Sequence, residues 1–228
     1  MKNAALLALG FLEYFLRPEI QRREGGPFNG QVRRRELINN LIAALRPGII
    51  FETGSCRGTS TAFLSGFGIR LKTVDFNPRF CGYCRARFMG SKHVRVFHAD
   101  SRVFLSKMAN DNSNHSLRPL IYLDAHWNSD VPLEGELDII FKAWDDAIVM
   151  IDDFHIPGSD YGYDVYGTTV VGMEIVSRVA PANVEVFIPA YPAGEEGGAK
   201  RGWAMISAQP DACAWLLSNP WLLRLERE

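Results

Sequence analysis

The chain has 228 residues, of which 47% are hydrophobic and 22% charged, as in a globular domain of the larger size. Its net charge of −1 provides no field for a polyanion, so we expect no nucleic-acid partner. The four cysteines are too few for a disulfide framework, which favours a reducing, cytoplasmic setting.

The first predicted element is an amphipathic helix near the N-terminus. Its apolar residues are predicted to share one face: Leu6, Leu7, Phe11, Phe15 and Leu16. Glu13 interrupts the apolar run, which is too short to span a bilayer, so we expect no stable membrane insertion. The apolar face is predicted to pack on the domain or to join two copies as a homodimer.

A glycine-rich loop, REGGPFNGQ, comes next, and a second helical period runs from Val32 to Leu45. We interpret the basic run Arg33-Arg34-Arg35 in that helix as a solvated face rather than a binding patch. The pattern assigns residues 1–46 to an N-terminal helical extension and residues 47–228 to one α/β domain.

Seven short β-rich runs alternate with helical stretches in the rest of the chain. The runs are GIIFETG, LKTVDF, VRVFHAD, PLIYLDAH, AIVMIDDF, NVEVFIPA and GWAMISA, and helices are predicted at 59–66, 78–88, 101–108, 133–144 and 168–179. The first five runs are apolar throughout, which is typical of strands buried on both faces. The alternation therefore predicts a Rossmann-like, doubly wound, mostly parallel sheet with helices on both faces.

Acidic residues follow each of the first five predicted strands. In chain order they are Glu52, Asp75, Asp100, Asp124 and the pair Asp152-Asp153. Because ligands of such sheets bind beyond the carboxyl ends of the strands, we expect these side chains to surround one site.

The first strand leads into the turn FETGSCRGTST. Gly54 and Gly58 allow the backbone to approach a ligand closely and to enter a helix whose free N–H groups face the pocket. The turn lacks the third glycine of a dinucleotide fold and the lysine of a P-loop. Asp75 lies about twenty residues further on, the usual place for a carboxylate that binds ribose hydroxyls. The pattern indicates an adenosine-type cofactor.

Together, FETGSCRGTST, VDFNP, HADS and LDAHW resemble the motifs of class I S-adenosylmethionine-dependent methyltransferases. Bacterial sugar and small-molecule O-methyltransferases of the macrocin and cephalosporin-biosynthesis types look most similar. The resemblance implies S-adenosylmethionine as cofactor, a small-molecule or sugar acceptor, a methyltransferase domain at 47–228 and an antiparallel last strand. It assigns cofactor contacts to Gln31, Glu52, Gly54, Ser55, Gly58, Ser60, Asp75, Asp100, Ser101 and Asp124.

Three of the acids also suggest a metal site. Asp124, Asp152 and Asp153 follow two predicted strands, and carboxylate oxygens suit Mg²⁺, which eases deprotonation of a bound hydroxyl. The metal-dependent O-methyltransferases that the chain resembles place ligands at these positions. The alternative is that Asp153 caps the next segment and Asp152 bonds backbone.

His126 is predicted to be the general base, because imidazole accepts protons near neutral pH. A purely orienting role is the alternative, and His155 is the second candidate base. Catechol-type methyltransferases have a similar His-Trp pair followed by a lysine that acts as base, and Asn128 stands in that place here.

Two loops are predicted to border the acceptor. The segment HIPGSDYGYDVYG carries Tyr161, Tyr163 and Tyr166, which could stack on a sugar or an aromatic ring, and its glycines suit a mobile lid. Lys200 and Arg201 on the opposite loop could bind an anionic group.

Two other functions remain open from the sequence. One is a nicotinamide-dependent oxidoreductase on a similar sheet, although the third glycine and a Tyr-x-x-x-Lys pair are missing. The other is a non-catalytic S-adenosylmethionine-binding protein of the same fold. Cofactor binding separates the first alternative from a methyltransferase, and methyl transfer separates the second.

Overall fold

The computed structural model describes residues 2–22, 25–126 and 130–227. The α-helices are α1 (Lys2–Leu16), α2 (Glu19–Arg22), α3 (Val32–Leu45), α4 (Thr59–Ser65), α5 (Pro78–Arg87), α6 (Ser101–Ala109), α7 (Asn112–His115), α8 (Leu133–Ala143), α9 (Met173–Val179) and α10 (Pro210–Ser218). The strands are β1 (Ile49–Thr53), β2 (Arg70–Asp75), β3 (Val94–His98), β4 (Pro119–Leu123), β5 (Ile148–Asp152), β6 (Val165–Tyr166), β7 (Thr169–Val170), β8 (Glu185–Pro189), β9 (Trp203–Ser207) and β10 (Leu222–Leu225).

One eight-stranded sheet has the order β3-β2-β1-β4-β5-β9-β8-β10. Strands β1 to β5 are parallel to one another, whereas β9 is antiparallel to both β5 and β8. The predicted doubly wound α/β fold is therefore confirmed, including the antiparallel strand GWAMISA beside the fifth strand.

The structure adds elements that the sequence patterns did not indicate. An eighth strand, β10, pairs antiparallel with β8 at the sheet edge. The strands β6 and β7 form a separate hairpin, so α9 begins at Met173 rather than near residue 168. Because these strands have only two to four residues, they show too little alternation for a sequence pattern to reveal them.

Alternate residues of the central strands pack on opposite faces of the sheet. On β5, Val149 and Ile151 join Leu137 of α8 in one apolar cluster, while Met150 joins Leu37 of α3 in the other. This period of two follows from the pleat of a strand. The same period places Asp152, the last residue of β5, on the face of Met150 and α3.

One face of helix α3 lies in the core. Leu37, Ile38 and Leu41 are at most 1% exposed, and they pack in the same cluster as Ile50 of β1. Arg34 on this face is 0% exposed, so the interpretation of the basic run as a solvated face was wrong at that residue. The division at residue 46 remains a prediction.

Helix α1 packs on α5 at close range. A methyl group at Gly10 would lie 1.8 Å from the carbonyl oxygen of Arg79, and one at Gly82 would lie 2.0 Å from that of Leu7. Buried Glu13 accepts hydrogen bonds at 2.8 Å from both Nε and Nη2 of Arg79. The helix therefore packs on α5 through the glycines at 10 and 82 and through the ion pair between Glu13 and Arg79.

The outer face of α1 is apolar and exposed. It carries Leu9, Phe11, Leu12, Phe15 and Leu16, which are 38% to 74% exposed. The five residues predicted to share one face therefore lie in two environments. Leu6 and Leu7 are partly buried, whereas Phe11, Phe15 and Leu16 are exposed. Among the described residues, no helix has both the length and the apolar character needed to cross a membrane.

Candidate functional site

A cleft of about 380 Å³ opens beyond the carboxyl ends of β1, β2 and β4. The chain order reverses between β1 and β4, which are hydrogen-bonded neighbours, and ligands of open α/β sheets bind at such a point. The cleft is lined by Gly54, Cys56, Val74, Asp75, Phe76, Asn77, Phe80, Ala99, Ser101, Asp124, Ala125 and His126.

The turn after β1 forms one wall of this cleft. Gly54 and Gly58 have φ of +80° and +79°, a left-handed conformation that suits glycine. A methyl group at Gly58 would lie 2.7 Å from the Phe88 ring, so Gly58 also lets α4 and α5 approach each other. Cys56 borders the cleft, and burial raises the pKa of its thiol to about 11, which disfavours a reactive thiolate.

Asp75 presents its carboxylate to the same cleft in a fixed orientation. One oxygen accepts the N–H of Cys56 at 2.7 Å, and the other accepts the N–H of Asn77 at 2.7 Å. Burial raises the pKa of Asp75 to about 6, although both N–H groups oppose the shift. Each oxygen retains a lone pair for another donor, as paired ribose hydroxyls would require.

Asp124, His126 and Asp153 converge at the other end of the cleft. One potential ligand atom from each side chain lies within 4.8 Å of the others. A small cavity of about 20 Å³ lies beside them, which is space for one water molecule or ion. Two carboxylates and an imidazole are an appropriate donor set for a divalent cation.

The electrostatics of this group also favour a cation. Burial raises the pKa of Asp124 well above its ordinary value, and the nearby charges of Asp152 and Asp153 raise it further. Arg34 pairs with Asp152, and Arg201 pairs with both Asp153 and Asp164. With Asp124 there are four carboxylates to two guanidinium groups, so two negative charges are left when all are ionised.

Asp152 is not one of the three residues whose ligand atoms converge, and its role as a metal ligand remains a prediction. Its Oδ1 accepts from Arg34 Nη1 at 2.7 Å and from the Asp153 N–H at 2.9 Å. Its Oδ2 accepts from Tyr122 at 2.5 Å and from Asn29 at 3.1 Å. Asp152 points to the α3 face of the sheet because side chains alternate along a strand. His126, rather than Asp152, is the third member of the cluster.

Known protein families give no match to this chain, and neither do curated proteins. Solved structures do match. The O-methyltransferase TomG from Streptomyces achromogenes, involved in tomaymycin synthesis and solved in complex with SAM, is 15% identical, with a TM-score of 0.58 over 91% of this chain and 89% of its own. An O-methyltransferase from Bacillus cereus in complex with SAH is 16% identical, with a TM-score of 0.55 over 76% and 80%.

A putative caffeoyl-CoA O-methyltransferase from Staphylococcus aureus is 14% identical, with a TM-score of 0.53 over 77% of this chain and 82% of its own. The chain has the fold of class I O-methyltransferases. At these identities the comparison concerns the fold alone. The roles of individual residues must be argued from the site itself.

Within this methyltransferase fold, several predicted cofactor contacts lie outside the cleft. The buried Glu52 accepts from Thr61 at 2.5 Å and from Thr73 at 2.6 Å, so it joins β1 to α4 and β2. Ser55 is 4% exposed, and its backbone bonds Val74 and Gly58. The Glu52 side chain and the Ser55 backbone thus stabilise the turn that borders the cleft.

The N-terminal segment brings Gln31 and Ser60 into the wall rather than the cleft. Ser60 Oγ accepts the Phe28 N–H at 3.1 Å, which ties the segment to the start of α4. Gln31 is 0% exposed, donates to the Arg201 carbonyl at 2.9 Å and accepts from Arg34 at 3.2 Å. Neither residue is among those that line the described cleft, so their cofactor roles remain predictions.

After β3, the two predicted contacts differ in position. Asp100 caps α6 by accepting the Arg102 N–H at 2.8 Å, and its carboxylate pairs with the Arg102 guanidinium at 2.6 Å. Ser101 lines the cleft and is 1% exposed. Of the two, Ser101 is the one positioned to face a ligand.

The two predicted loops meet each other above Asp153. Tyr166 donates to Asp153 at 3.1 Å and its ring lies 4.6 Å from that of His126. Arg201 donates to Asp153 at 2.6 Å, and its Nη2 lies 2.6 Å from Asp164 in the other loop. Arg201 is thus committed to carboxylates instead of being free for an anionic acceptor.

The second candidate base is elsewhere. His155 packs its ring on Tyr163 at 4.3 Å and does not line the cleft. Tyr163 is 41% exposed, whereas Tyr161 is 5% exposed and belongs to the core. Asn128, at the place of the lysine in catechol-type enzymes, lies outside the described residues.

Sequence reasoning missed two buried charged residues near the site. Arg34 pairs with Asp152, and Glu136 of α8, 1% exposed, lines the small cavity beside Asp124. Burial raises the pKa of Glu136 to about 7, while the hydroxyls of Ser101 and Thr53 favour its charged form. Arg34 lies on the apolar face of α3 and Glu136 on that of α8. This position is the sequence signal that could have revealed them.

Proposed function

We propose that the chain is an S-adenosylmethionine-dependent O-methyltransferase that acts on a hydroxyl of a small molecule or sugar. The observation that supports this most strongly is the arrangement of one cleft. At one end is an oriented carboxylate, Asp75, and at the other end is the Asp124, His126 and Asp153 cluster. The switch point of a methyltransferase-like sheet lies between them.

Residues around Asp75 would hold the nucleoside part of the cofactor. Asp75 accepts the ribose hydroxyls, and exposed Phe76 beside it offers an aromatic surface to the base. Gly54 brings the backbone close to the remaining part of the cofactor. When bound, S-adenosylmethionine supplies an electrophilic methyl group on its sulfonium.

Residues at the other end would activate the acceptor. Asp124 and Asp153 bind a divalent cation, which when bound lowers the pKa of a hydroxyl. His126 accepts the proton of the hydroxyl on a ring nitrogen and is oriented by its contact with Tyr166. Tyr166 and Arg201 each donate a hydrogen bond to Asp153 and so fix its carboxylate from the side of the two loops.

The test is methyl transfer from isotope-labelled S-adenosylmethionine to a panel of hydroxylated sugars, phenols and macrolide-type alcohols. We expect transfer to at least one class, with stimulation by Mg²⁺ or Mn²⁺ and inhibition by EDTA. If EDTA does not reduce the turnover of the wild type, the proposed cation is contradicted, whereas the methyltransferase assignment is unaffected.

Calorimetry distinguishes the two rival functions. Binding of S-adenosylhomocysteine without binding of NAD counts against the oxidoreductase. Tight S-adenosylhomocysteine binding without transfer to any acceptor class would favour a non-catalytic binding protein of the same fold.

We also propose that two copies associate through α1. The outer face of this helix carries exposed apolar side chains, and the acidic Glu13 is buried against Arg79 instead of lying on that face. An apolar patch of this kind is typical of an interaction site.

A further inference from the structure

Arg34 is a charged side chain buried in the core directly beneath the site. Its side chain is 0% exposed, and its Nη1 lies 2.7 Å from Asp152 Oδ1. The rings of Phe28, Tyr122 and Trp203 surround the guanidinium, with centroids 5.3, 5.5 and 5.7 Å from its Cζ. A buried ion pair of this kind is weak evidence for stability, because desolvation offsets most of its Coulomb energy.

The partner of Arg34 is linked to both proposed cation-binding carboxylates. Asp152 Oδ1 accepts the backbone N–H of Asp153 at 2.9 Å. Asp152 Oδ2 accepts the Tyr122 hydroxyl at 2.5 Å, and the same hydroxyl lies 3.0 Å from Asp124 Oδ2. One buried carboxylate therefore contacts the main chain of one proposed ligand and shares a hydroxyl with the other.

The backbone conformation of Asp153 indicates that its hydrogen bond with Asp152 is needed to hold it. Asp153 has φ of +53°, a left-handed conformation that is uncommon for residues other than glycine, although aspartate adopts it more readily than most. Such strain persists only where the surroundings hold it in place. The bond from its N–H to Asp152 is a contact that fixes this turn.

We propose that Arg34, Asp152 and Tyr122 form a positioning triad, which holds Asp124 and Asp153 at the spacing required for a divalent cation. The inference rests on the proposed function, in which those two carboxylates bind the cation. Arg34 holds the Asp152 carboxylate in place, Asp152 orients Asp153, and the Tyr122 hydroxyl connects Asp152 to Asp124. Groups that orient metal ligands commonly change metal affinity by about 10- to 100-fold.

Tyr122→Phe is the sharpest test, because it removes only the hydroxyl and keeps the ring that packs on Phe28. The probe is Mn²⁺, titrated calorimetrically into the full chain with saturating S-adenosylhomocysteine. We expect about tenfold weaker Mn²⁺ binding, with S-adenosylhomocysteine affinity unchanged. Tyr14→Phe on α1 is the matched control and should bind Mn²⁺ like the wild type.

A second variant removes a contact at the edge of the triad and leaves the buried ion pair of Arg34 and Asp152 unchanged. Asn29 has φ of +59° and donates to Asp152 at 3.1 Å, so Asn29→Gly removes this bond without backbone strain. We expect Mn²⁺ affinity to fall by about threefold. Arg34→Lys should keep more Mn²⁺ affinity than Arg34→Met, because the charge beside Asp152 is retained.

The outcomes separate this inference from the proposed function. Wild-type Mn²⁺ affinity in both Tyr122→Phe and Asn29→Gly would overturn the triad and leave the methyltransferase assignment intact. A wild-type protein that binds S-adenosylhomocysteine but no Mn²⁺ would overturn the cation site and, with it, the triad. Loss of S-adenosylhomocysteine binding together with Mn²⁺ binding in Tyr122→Phe would indicate a general structural role and contradict the inference.

Discussion

Gly54 packs against the backbone of Asp124 so closely that a methyl group on its Cα would lie 2.2 Å from the Asp124 carbonyl oxygen. The two residues follow neighbouring parallel strands, β1 and β4, and together they form the bottom of the cleft. The first glycine of the turn is thus required by the sheet itself as well as by any ligand.

Gly54→Ala should therefore displace the turn from the strand beside it. We expect at least a hundredfold loss of S-adenosylhomocysteine affinity, measured by calorimetry, because both the φ of +80° and the contact with Asp124 oppose a side chain. Gly68→Ala is a control, because Gly68 also has positive φ, +68°, but open space around its Cα. Equal binding by both variants and the wild type would show that the turn does not hold the cofactor.

Asp75 should make cofactor binding depend on pH. Its pKa of about 6 is above the ordinary 3.8 because of burial, so the carboxylate becomes protonated as pH falls through 6. Since ribose hydroxyls donate to the ionised form, S-adenosylhomocysteine should bind about tenfold more weakly at pH 5 than at pH 8. Asp75→Asn should bind less tightly by about 1.5–3 kcal/mol and lose most of this dependence. Equal pH profiles for wild type and variant would exclude Asp75 as the acceptor.

Glu52 should make stability depend on pH. Burial raises its pKa to about 7 from 4.5, although Thr61 and Thr73 oppose the shift, so the folded protein keeps a proton that the unfolded chain loses between these values. Stability from this group is therefore greatest below pH 4.5 and decreases as pH rises to 7, by roughly 3 kcal/mol for a fully buried acid. Glu52→Gln should flatten the fall of the free energy of unfolding between pH 5 and 8, measured by urea denaturation.

Glu174→Gln is the matched control for this experiment, because the Glu174 side chain is 87% exposed. Its stability should follow the wild-type pH profile. If Glu52→Gln also follows that profile, Glu52 is ionised in the folded protein and the hydroxyls of Thr61 and Thr73 outweigh burial.

Helix α1 should determine self-association. We expect the wild type to be a dimer in light scattering, and Leu12→Glu, at a position 54% exposed, to be a monomer because the charge enters the apolar face. Leu217→Glu on α10, at a position 60% exposed, is the control and should remain dimeric. A monomeric wild type would contradict the proposal.

The sequence predicted the sheet well because its signals are local and repeated. Seven β-rich runs mark strands of the sheet, and the first five are apolar and end in acids, which lie where the parallel strands end. Asp75, Asp124, His126 and Asp153 could be chosen in this way because each directly follows a strand end or lies close to one.

What the sequence could not supply is the direction of individual side chains. Asp152 and Asp153 are neighbours in the chain and share one predicted role, yet Asp152 ends β5 and pairs with Arg34, whereas Asp153 lies beyond the strand with φ of +53° and pairs with Arg201. Arg34 was assigned to solvent because it lies between two other arginines. Its spacing of three, four and seven residues from Leu37, Ile38 and Leu41 places it on the buried face instead.

The role of His126 can be determined by separating binding from turnover. The ring is exposed to the cleft and packs on Tyr166, and its nearest nitrogen lies within 4.8 Å of carboxylate oxygens of Asp124 and Asp153. This position suits a base that removes the acceptor proton, and it would also suit a third cation ligand. The two roles predict different effects of replacing His126: loss of a base lowers turnover, whereas loss of a ligand also lowers cation affinity.

We expect His126→Ala to lower kcat by about a hundredfold or more, the usual contribution of a positioned base, while Mn²⁺ and S-adenosylhomocysteine affinities stay within about twofold of the wild type. Asp153→Asn should do the opposite at saturating Mn²⁺, with weaker Mn²⁺ binding and a smaller loss of kcat. His155→Ala tests the other histidine and should leave kcat nearly unchanged, because its ring packs on Tyr163 away from the cleft. If His126→Ala loses Mn²⁺ affinity in parallel with kcat, the imidazole is a ligand. A cation preference shifted from Mg²⁺ towards Mn²⁺ would then be expected, since imidazole suits the softer ion.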